Sequence, residues 1–424
     1  MTITIFLALL ALMGVPLFIV IATGALAGYY IEEIDLSALI IEFYRLAEMP
    51  ILMAIPLFSF AGYLLSESNA PKRLVKLTQA LLGWAPGGLA IVTILACSLL
   101  TAFTGASGVT IVALGALLYP AMAHAGYKEN FNLGLITSAG SLGLLFAPSL
   151  PLILFAVIAQ QMSLETQPFT LDDVFLAGIL PGLLMISMLA GWSLWKNRDH
   201  QRTAFSWAQA KAAMLEARWE LPLPVIILGG IYSGYFAISE AAAVTALYVL
   251  ITEGLIHRDI PFARLPRVIR ESMTLVGGIL VILGVSLAST NVIIDSGLPD
   301  QLFEFIRSHV SDKLTFLMLL NVFLLLLGAI LDIFSALVLM VPLLLPIAMG
   351  YGIDPIHFGI IFLANMQIGY FTPPVGMNLF IASYRFKKPV MQLYQATLPF
   401  FFILLLSVLI ITYWPTLTLG LTGR

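Results

Sequence analysis

Apolar stretches about 20 residues long follow one another from Ile3 to the C-terminus, separated only by short polar segments. A stretch of that length, wound as an α-helix, spans the hydrocarbon core of a bilayer. The composition agrees, because 60% hydrophobic and 10% charged residues leave too little polar surface to cover a soluble globule. The sequence therefore predicts an all-α, polytopic membrane protein without a soluble domain.

Positive charges indicate the orientation, because Lys and Arg accumulate in the cytoplasmic loops of membrane proteins. Sixteen of the 20 Lys and Arg residues can lie on the cytoplasmic side. They are Lys128 and the Lys and Arg residues of the segments 72–76, 196–220, 257–270 and 385–388. The acidic loops then face out, with the N-terminus inside and the C-terminus outside. The outward acidic loops are 32–48, 165–173 and 295–312. The predicted crossings lie near residues 3–24, 50–66, 132–160, 174–195, 222–236, 239–256, 272–291, 358–384 and 393–416.

One pattern occurs twice, 225 residues apart, at residues 134–155 and 359–380. Each copy places Gly, Pro and hydroxyl or amide residues in the middle of an apolar segment, where a plain membrane helix would have Leu or Val. Each copy should therefore break near the middle of the bilayer. Broken helices in matching halves of a chain are typical of secondary transporters.

Two further apolar stretches are interrupted by short segments that contain polar residues, at 101–110 and 328–335. The arms of the first stretch, 88–103 and 110–124, reach roughly 22 to 24 Å at 1.5 Å per residue, short of the roughly 30 Å hydrocarbon core. We therefore predict two re-entrant helical hairpins. A pair of full spans with a polar turn on the far side is the alternative.

The hairpin and the broken helix follow each other in the same order in both halves. At the constant offset of 225, Ser107 matches Asp332 and Pro148 matches Pro373. By the loop charges the first hairpin enters from inside and the second from outside, so the copies are inverted. Inverted repeats with discontinuous helices can expose one midplane site to either side in turn.

Helix breaks inside a membrane leave backbone groups that only a protein cavity or a bound ligand can satisfy. Carbonyl and hydroxyl oxygens suit a hard cation such as Na⁺, and helix N-termini suit a carboxylate. The predicted Na⁺-binding residues are Gly105, Ser107, Gly143, Pro148, Gly328, Asp332, Gly369, Thr372, Pro374 and Gly376. The predicted substrate-binding residues are Thr110, Ser138, Ser141, Ser149, Ser335, Asn365 and Asn378. The alternative is that these small and polar residues serve only helix packing and kinking.

The remaining chemistry-bearing residues favour transport over catalysis. No Lys or Arg lies in the predicted core, so helix N-termini, hydroxyls and Na⁺ would have to compensate an acidic substrate. None of the five His residues falls in a tip or a break, which favours Na⁺ over a proton as the coupling ion. The sequence contains no HExxH-type site, paired intramembrane Asp or Ser and His dyad, so we predict neither an enzyme nor a cofactor, and no metal other than Na⁺.

Several segments resemble the large membrane subunit, of the DctM or SiaM type, of tripartite ATP-independent periplasmic (TRAP) transporters. The most specific is IGYFTPPVGMNLF at 368–380, followed by GAILDIFSALVLMVPLLLPI at 328–347. The segments at 104–127, 140–149 and 234–248 extend the resemblance over nearly the whole chain. Three positions depart from the family pattern. Ala106 stands where many members have Ser, which removes a possible hydroxyl ligand, and Ala147 and Ile238 each replace a Pro.

The resemblance implies an elevator-type secondary transporter of the ion-transporter superfamily, which imports a small organic acid across the bacterial inner membrane by Na⁺ symport. It implies a small four-helix membrane subunit and a periplasmic substrate-binding protein as partners, within the lipid bilayer and without nucleic acid. The acid could be a dicarboxylate, a sialic or sugar acid, a sulfonate or a zwitterion. The alternatives are a stand-alone anion symporter or antiporter of the same superfamily and, from a different class, an ion channel, although no selectivity-filter-like repeat is present.

The predicted organisation alternates support and transport segments. The two repeats form a mobile transport unit, and the other helices form a scaffold and arms. The segments are 1–87 (scaffold and arm helices), 88–160 (first hairpin and broken helix), 161–313 (scaffold and arm helices), 314–384 (second hairpin and broken helix) and 385–424 (C-terminal transmembrane helix).

Overall fold

The structure is a computed structural model that describes residues 6–7, 9–10, 13–85, 87–162, 168–198 and 205–423, and every regular element in these ranges is helical. By length and composition, eight of the described helices could cross a membrane, or up to nine if a bent pair counts as one span. This confirms the prediction of an all-α, polytopic membrane protein. The predicted crossing at 3–24 lies partly outside the described residues.

Four helices with assigned bounds precede the first hairpin in the described ranges. A 3₁₀ turn at Pro50–Met53 leads into the third of them, with Pro at a position that needs no backbone donor. The helices are α1 Leu17–Ile31, α2 Ala38–Ala47, α3 Ala54–Glu67 and α4 Ala70–Leu82.

The first hairpin consists of α5 (Gly88–Thr104) and α6 (Ser107–His124), joined by two residues. The broken helix that follows consists of α7 (Glu129–Ala139), a 3₁₀ turn (Leu142–Leu145) and α8 (Leu150–Gln161). Its two halves are bent by 41°. The break therefore lies in the Gly, Ser and Pro segment that the sequence predicted.

Six helices lie between the two repeats in the part of the chain that the structure describes. A π-helical segment at Leu250–Ile256 extends the fourth of them. The helices are α9 Leu171–Lys196, α10 Trp207–Glu216, α11 Pro222–Tyr232, α12 Ile238–Val249, α13 Leu265–Asp295 and α14 Leu298–His309. Three short helices, α2, α10 and α14, occupy the polar segments 32–48, 196–220 and 295–312.

The second repeat has the same order of elements as the first. Its hairpin is α15 (Lys313–Ile330) and α16 (Ile333–Gly350), and its broken helix is α17 (Pro355–Gly369) and α18 (Met377–Phe386). The C-terminal segment forms α19 Val390–Tyr413 and α20 Thr416–Leu419.

The hairpin arms are longer than the sequence predicted, because each tip occupies only two residues. Helix α5 has 17 residues, and α6, α15 and α16 have 18 each. At 1.5 Å per residue, an arm of that length reaches about 27 Å, close to the thickness of the hydrocarbon core. Arm length therefore does not favour re-entrant hairpins over full spans, and re-entry stays a prediction.

The structure refines the register between the repeats. Helix α15 starts 225 residues after α5 (313 − 88), but α16 starts 226 residues after α6 (333 − 107). The residue that precedes the second arm is Ala106 in the first repeat and Asp332 in the second, and both are N-caps. Asp332 is therefore the structural counterpart of Ala106. The constant offset of 225 predicts Ser107 as its counterpart, and the structure corrects that match by one residue.

The two repeats pack together with exchanged partners. Helix α18 packs against α6, and α16 packs against α8, so the second half of each broken helix lies beside the hairpin of the other repeat. Within each repeat the first hairpin arm lies against its own broken helix, α5 against the 3₁₀ turn and α15 against α17. We call this packed group the repeat unit. It also carries α9, which packs against α5 and α17, and α19, which packs against α7 and α17.

A second packed group, the support group, consists of α1, α2, α3, α12 and α13. Helix α3 packs against α12 and α13, and α1 and α2 pack along α13. The two groups meet where α3 contacts α5 and where α13 contacts α16. At the first contact the helices approach at Gly62, where an added Cβ would lie 2.5 Å from the Phe103 carbonyl oxygen.

A buried ion-pair cluster fixes α4 to the end of α12. Arg73 is 6% exposed, and its guanidinium donates to Glu253 and Asp259, both at 2.7 Å, and to Glu220. Asp259 also accepts from the backbone and side-chain amides of Asn69, at 3.0 and 2.8 Å. Desolvation by itself raises the pKa of Asp259, but these hydrogen bonds from Asn69 and Arg73 outweigh it and lower the pKa. The Arg73 guanidinium thus forms ion pairs with three carboxylates.

Candidate functional site

A cavity of about 910 Å³ lies between the repeat unit and the support group. Tyr63 and Glu67 of α3 and Glu271 of α13 line one wall. The opposite wall consists of the first hairpin tip, residues 105–109, and of α18 as far as Arg385. Among the lining residues, Glu67 and Arg385 are exposed.

The first hairpin tip presents a helix N-terminus to this cavity. Gly105 ends α5 in the left-handed region, with φ +63°, and a Cβ there would lie 2.6 Å from Leu150 Cγ. The N-cap residue of α6 is Ala106, whose side chain cannot accept a hydrogen bond. The first amides of an α-helix have no intrahelical partner, and residues 106–109 line the cavity. The start of α6 is therefore uncapped and carries partial positive charge beside the cavity.

The second hairpin tip satisfies its own amides. Asp332 Oδ1 accepts from the backbone amides of Phe334 and Ser335, both at 3.0 Å, and Oδ2 accepts from the Ser335 hydroxyl. The Ile333 amide donates to the Tyr370 hydroxyl at 2.7 Å. Because these bonds occupy the start of α16, only the first hairpin offers free amides. The cation and substrate predictions for Asp332 and Ser335 thus fall on residues that cap a helix.

A hydrogen bond joins the first tip to the second repeat. The Ser107 hydroxyl donates to Asn378 Oδ1 at 2.7 Å. Asn378 is fully buried, and its Nδ2 has no hydrogen-bond partner among the described residues. A buried donor without an acceptor is costly, so Nδ2 marks a position that suits an acceptor such as a carboxylate.

In each repeat the first hairpin arm and the break of the following helix are in close backbone contact at glycine residues. An added Cβ at Gly143 would lie 2.2 Å from the Ser98 carbonyl oxygen, and one at Gly369 would lie 2.6 Å from Gly328 C. The Gly376 amide donates to the Ala329 carbonyl oxygen at 2.9 Å. Each first hairpin arm therefore touches its own break directly. The peptide bonds that precede Pro148 and Pro374 are cis.

Hydroxyl groups at the breaks differ in their hydrogen bonding. Ser149 is fully buried, and its Oγ has no partner among the described residues. The Thr372 hydroxyl donates to the Ile368 carbonyl oxygen at 2.9 Å, which leaves its lone pairs free to accept or to ligate. Both positions therefore retain oxygen atoms of the kind that a hard cation binds.

None of the seven predicted substrate residues, Asn378 included, belongs to the cavity lining. The Thr110 hydroxyl bonds to that of Thr101 at 2.6 Å, and the Ser138 hydroxyl donates to the Gly134 carbonyl oxygen of its own helix at 2.8 Å. Ser141 lies between the Ser138 and Gln367 carbonyl oxygens, 3.1 Å from each, and Asn365 Nδ2 donates to Asn321 Oδ1 at 2.7 Å. In this structure the side chains of Thr110, Ser141 and Asn365 join different elements, whereas that of Ser138 is satisfied within its own helix.

The cavity is also lined by residues that were not among the predicted site residues. Tyr370, Met377, Ile381 and Arg385 line it from the second repeat. The sequence predicted no Lys or Arg in the core, but Arg385 at the end of α18 lines the cavity. The spacing Asn378, Ile381 and Arg385, typical of one helix face, was the signal available in the sequence.

Among the described residues, no group of three or more His, Cys, Asp or Glu side chains could hold a metal ion. The breaks present carbonyl and hydroxyl oxygens, among them those of Ser149 and Thr372. Such oxygens suit hard cations and not soft transition metals.

The chain matches a family model over almost its whole length. The family is described as tripartite ATP-independent periplasmic transporter, DctM component, and the match covers residues 3–417. The C4-dicarboxylate TRAP transporter large permease protein DctM of Rhodobacter capsulatus is 32% identical over 422 residues, which cover 97% of this chain and 96% of that protein. The ectoine/5-hydroxyectoine TRAP transporter large permease protein UehC of Ruegeria pomeroyi is 30% identical, covering 99% and 98%.

Two further likenesses extend this picture. The isethionate TRAP transporter permease protein DctMQ of Oleidesulfovibrio alaskensis is 34% identical over 434 residues, which cover 98% of this chain but 65% of that protein. The crystal structure of the Alcanivorax borkumensis YdaH transporter, described as having an unusual topology, matches with a TM-score of 0.63 at 14% identity. That match covers 89% of this chain and 87% of the other, and it concerns the fold alone.

Proposed function

Because this chain belongs to the DctM family of tripartite ATP-independent periplasmic transporters, and is thus a transport protein and not an enzyme, we propose that it imports a small organic acid by Na⁺ symport. The observation that carries the proposal is the cavity between the repeat unit and the support group. Its wall holds an uncapped helix N-terminus, and the lining residue Ser107 is hydrogen-bonded to the buried Asn378, whose Nδ2 has no partner among the described residues. Both features suit a carboxylate or a similar anionic group.

Na⁺ binds, in this proposal, between each hairpin tip and its neighbouring break. The close glycine contacts bring the first hairpin arms against the breaks, with the Ser98 carbonyl oxygen at Gly143 and the Met366 carbonyl oxygen at Gly328, and Ser149 and Thr372 add hydroxyl oxygens. The cation would hold the tip and the break in the arrangement that forms the substrate site. The proposed ligand segments contain Gly105, Ser107, Gly143 and Pro148 in the first repeat, and Gly328, Asp332, Gly369, Thr372, Pro374 and Gly376 in the second.

Transport would follow an elevator mechanism in which the repeat unit moves against the support group. We assign α9 and α19 to the moving part, because they pack against helices of both repeats. Helices α3 and α5 approach closely at Gly62, where no side chain of α3 stands between the two groups. With the N-terminus in the cytoplasm and the C-terminus in the periplasm, the exposed ends at Glu67 and Arg385 would make this the inward-facing state.

We further propose the two partners that such a mechanism uses, a small four-helix membrane subunit and a periplasmic substrate-binding protein, in the bacterial inner membrane. The substrates in the names of the relatives are C4-dicarboxylates, isethionate and ectoines. Each carries at least one carboxylate or sulfonate group. An anion subsite at the start of α6 would accept this shared feature.

The test is uptake into proteoliposomes that contain the chain with its small subunit, with the binding protein supplied outside. Labelled succinate, isethionate and ectoine are the probes, each with Na⁺ outside or with choline in its place. We expect one probe to accumulate only with an inward Na⁺ gradient and only with the binding protein. Equal uptake with choline would refute Na⁺ coupling. Uptake without the binding protein would favour a stand-alone carrier, and conductance without saturation would favour a channel.

A further inference from the structure

We propose that the buried ion-pair cluster around Arg73 is a proton-binding site, in which Glu220 and Glu253 share one proton. The proton makes the attachment of α4 to the support group depend on pH. Arg73 and its three carboxylate partners lie outside the cavity lining, and no step of the proposed transport uses them. Three features support the site: an excess of buried negative charge, two carboxylate oxygens without donors, and one guanidinium that holds both carboxylates on adjacent nitrogens.

The cluster contains more negative than positive charge. The side chains of Arg73, Glu220 and Glu253 are 6%, 3% and 1% exposed, and that of Asp259 is 12% exposed. Three carboxylates thus face one guanidinium, which leaves two negative charges in excess when all three are ionised. A buried charge without a partner is costly, and a carboxylate in that position takes up a proton and becomes neutral.

Asp259 is the carboxylate with a full set of donors. Its oxygens accept from the backbone and side-chain amides of Asn69 at 3.0 and 2.8 Å, and Oδ2 also accepts from Arg73 at 2.7 Å. These hydrogen bonds lower the pKa of Asp259, which therefore stays ionised at neutral pH. The proton that reduces the excess charge then belongs to Glu220 and Glu253.

Glu220 and Glu253 each have one oxygen that finds no donor. Glu220 Oε1 accepts from Arg73 Nε, and Glu253 Oε2 accepts from Arg73 Nη2 at 2.7 Å. Glu220 Oε2 and Glu253 Oε1 are buried and have no hydrogen-bond partner in the described ranges. Because Nε and Nη2 are bonded to the same guanidinium carbon, the two carboxylates are neighbours. A proton on one carboxyl gives the pair an O–H donor and halves the excess charge, and it belongs to the pair and not to either residue.

A proton suits this position better than a metal ion does. No group of three or more His, Cys, Asp or Glu side chains in the described part of the chain is arranged to hold a metal ion. The Arg73 guanidinium also lies between the carboxylates, and its positive charge repels a second cation.

His257 connects the cluster with solvent. Its Nε2 lies 3.9 Å from Glu220 Oε1, and its side chain is 21% exposed. A neutral imidazole can accept a proton on one nitrogen and release one from the other, so His257 offers a route by which the pair exchanges its proton with water. The remaining charged side chains on the segments that form the cluster are exposed, namely Glu67, Lys72, Lys76, Glu216, Arg218 and Arg258.

The proton stabilises a junction between two parts of the fold. Through Arg73 and Glu253 the cluster joins α4 to the end of α12 in the support group, and α4 packs against α5, the first arm of the first hairpin. Loss of the proton leaves two like charges side by side, which repel each other. The folded state then holds a proton that Glu side chains of the unfolded chain have released above about pH 4. Stability therefore falls as the pH rises through the titration of the pair.

The experiment is infrared difference spectroscopy of the purified full chain between about pH 6 and about pH 9, on either side of neutrality. A protonated carboxyl has a C=O stretch that a carboxylate lacks. We expect the wild type to show this band at about pH 6 and to lose it at about pH 9. Glu220→Gln and Glu253→Gln should both lack the band, because the new amide supplies the missing donor without a proton. The melting temperature should fall over the same pH range in the wild type and stay level in the two variants.

Two further variants serve as controls. Glu216→Gln removes the same charge from an exposed pair with Lys76, 2.7 Å apart, and should keep both the band and the fall in melting temperature. His257→Gln should keep both as well, since the imidazole passes the proton on and does not store it.

Three results would overturn the inference. They are a wild type without the band at about pH 6, a band that persists in both Gln variants of the pair, and a pH dependence of the melting temperature that disappears in His257→Gln alone. The last result would assign the proton to the imidazole. If one Gln variant of the pair does not fold, the other decides, because a shared proton requires both carboxyls.

Discussion

The Ser107 hydroxyl, in the first turn of α6, donates a 2.7 Å hydrogen bond to Oδ1 of Asn378, in the first turn of α18. The two residues are 271 positions apart and belong to different repeats. Their bond joins the starts of two helices that follow a tip and a break. The same bond fixes the orientation of the Asn378 side chain, whose Nδ2 is a buried donor without a partner among the described residues.

Replacing Asn378 with Asp should lower substrate uptake at least about tenfold while the complex still folds. Asp keeps an oxygen for Ser107 but replaces the free donor with a negative oxygen beside the uncapped α6, where it would compete with the substrate anion. The measurement is the initial uptake rate, with the melting temperature as the check on folding. Asn130→Asp, at an exposed position of α7, is the control and should transport like the wild type. Normal uptake by Asn378→Asp would contradict the anion subsite.

Gly369→Ala should destabilise the protein by about 1–3 kcal/mol or more, because overpacking forces the backbone apart. The added Cβ would lie 2.6 Å from the Cα and carbonyl carbon of Gly328. The matched control is Gly277→Ala in α13, where nothing lies within 4 Å of the added Cβ. That change should be neutral or stabilise by up to about 1 kcal/mol through helix propensity. Equal melting temperatures for the two variants would show that the tip and the break are not in close contact.

Asp332→Asn separates a capping role from a cation role. Asn caps helices about as well as Asp, so the melting temperature in the absence of Na⁺ should stay near that of the wild type. If the Asp332 charge contributes to cation binding, the Na⁺ concentration for half-maximal uptake should rise about tenfold, since ligand charge sets cation affinity. Asp354→Asn is the control, because Asp354 caps α17 through the Ile356 amide at 2.8 Å. An unchanged Na⁺ dependence in Asp332→Asn would assign Asp332 to capping alone.

Removing Arg73 should be far more damaging than removing an exposed arginine. Arg73→Met leaves Glu220, Glu253 and Asp259 without their common cation, which typically costs about 3–5 kcal/mol for a buried pair. Arg267→Gln breaks an exposed pair with Glu271 and should cost no more than about 1 kcal/mol. The amount of folded complex and its melting temperature measure both. A second change, Glu253→Gln, should partly restore Arg73→Met, because it removes one of the unpaired charges.

Protonation of the Asp259 carboxyl should lower the stability of the folded protein at acidic pH. Its pKa in the folded protein is lowered, so its contribution is fully present above its unfolded pKa and is lost as the pH falls through the folded value. We therefore expect the melting temperature of the wild type to fall below about pH 4, and Asp259→Asn to show a smaller fall over the same range. Parallel curves for the two proteins would show that the hydrogen bonds from Asn69 and Arg73 do not stabilise the charged carboxyl.

Local properties of the sequence determined much of this architecture. Apolar length marks the membrane helices, and Gly, Ser and Pro mark the breaks at 140–149 and 370–376, because a helix that loses backbone hydrogen bonds must end wherever it lies. The TPPVG segment and the hairpin with an internal Asp were enough to indicate the family. The sequence also placed Ser107 and Asn378 among the site residues, although it could not show that they touch.

Only the tertiary structure decided which polar groups face the cavity. Ser138 and Asn365 were chosen for lying at breaks, but both are bonded inside the helix packing, whereas Arg385 was assigned to a loop and lines the cavity. A helical hydroxyl or amide can satisfy itself on a nearby carbonyl, and the direction of a side chain depends on how its helix packs against the other half of the chain. The same packing set the register in which Ala106, and not Ser107, is the counterpart of Asp332. The sequence of the first repeat leaves the start of α6 uncapped through Ala106, but the position of that start beside the cavity depends on how the two repeats and the support group pack together.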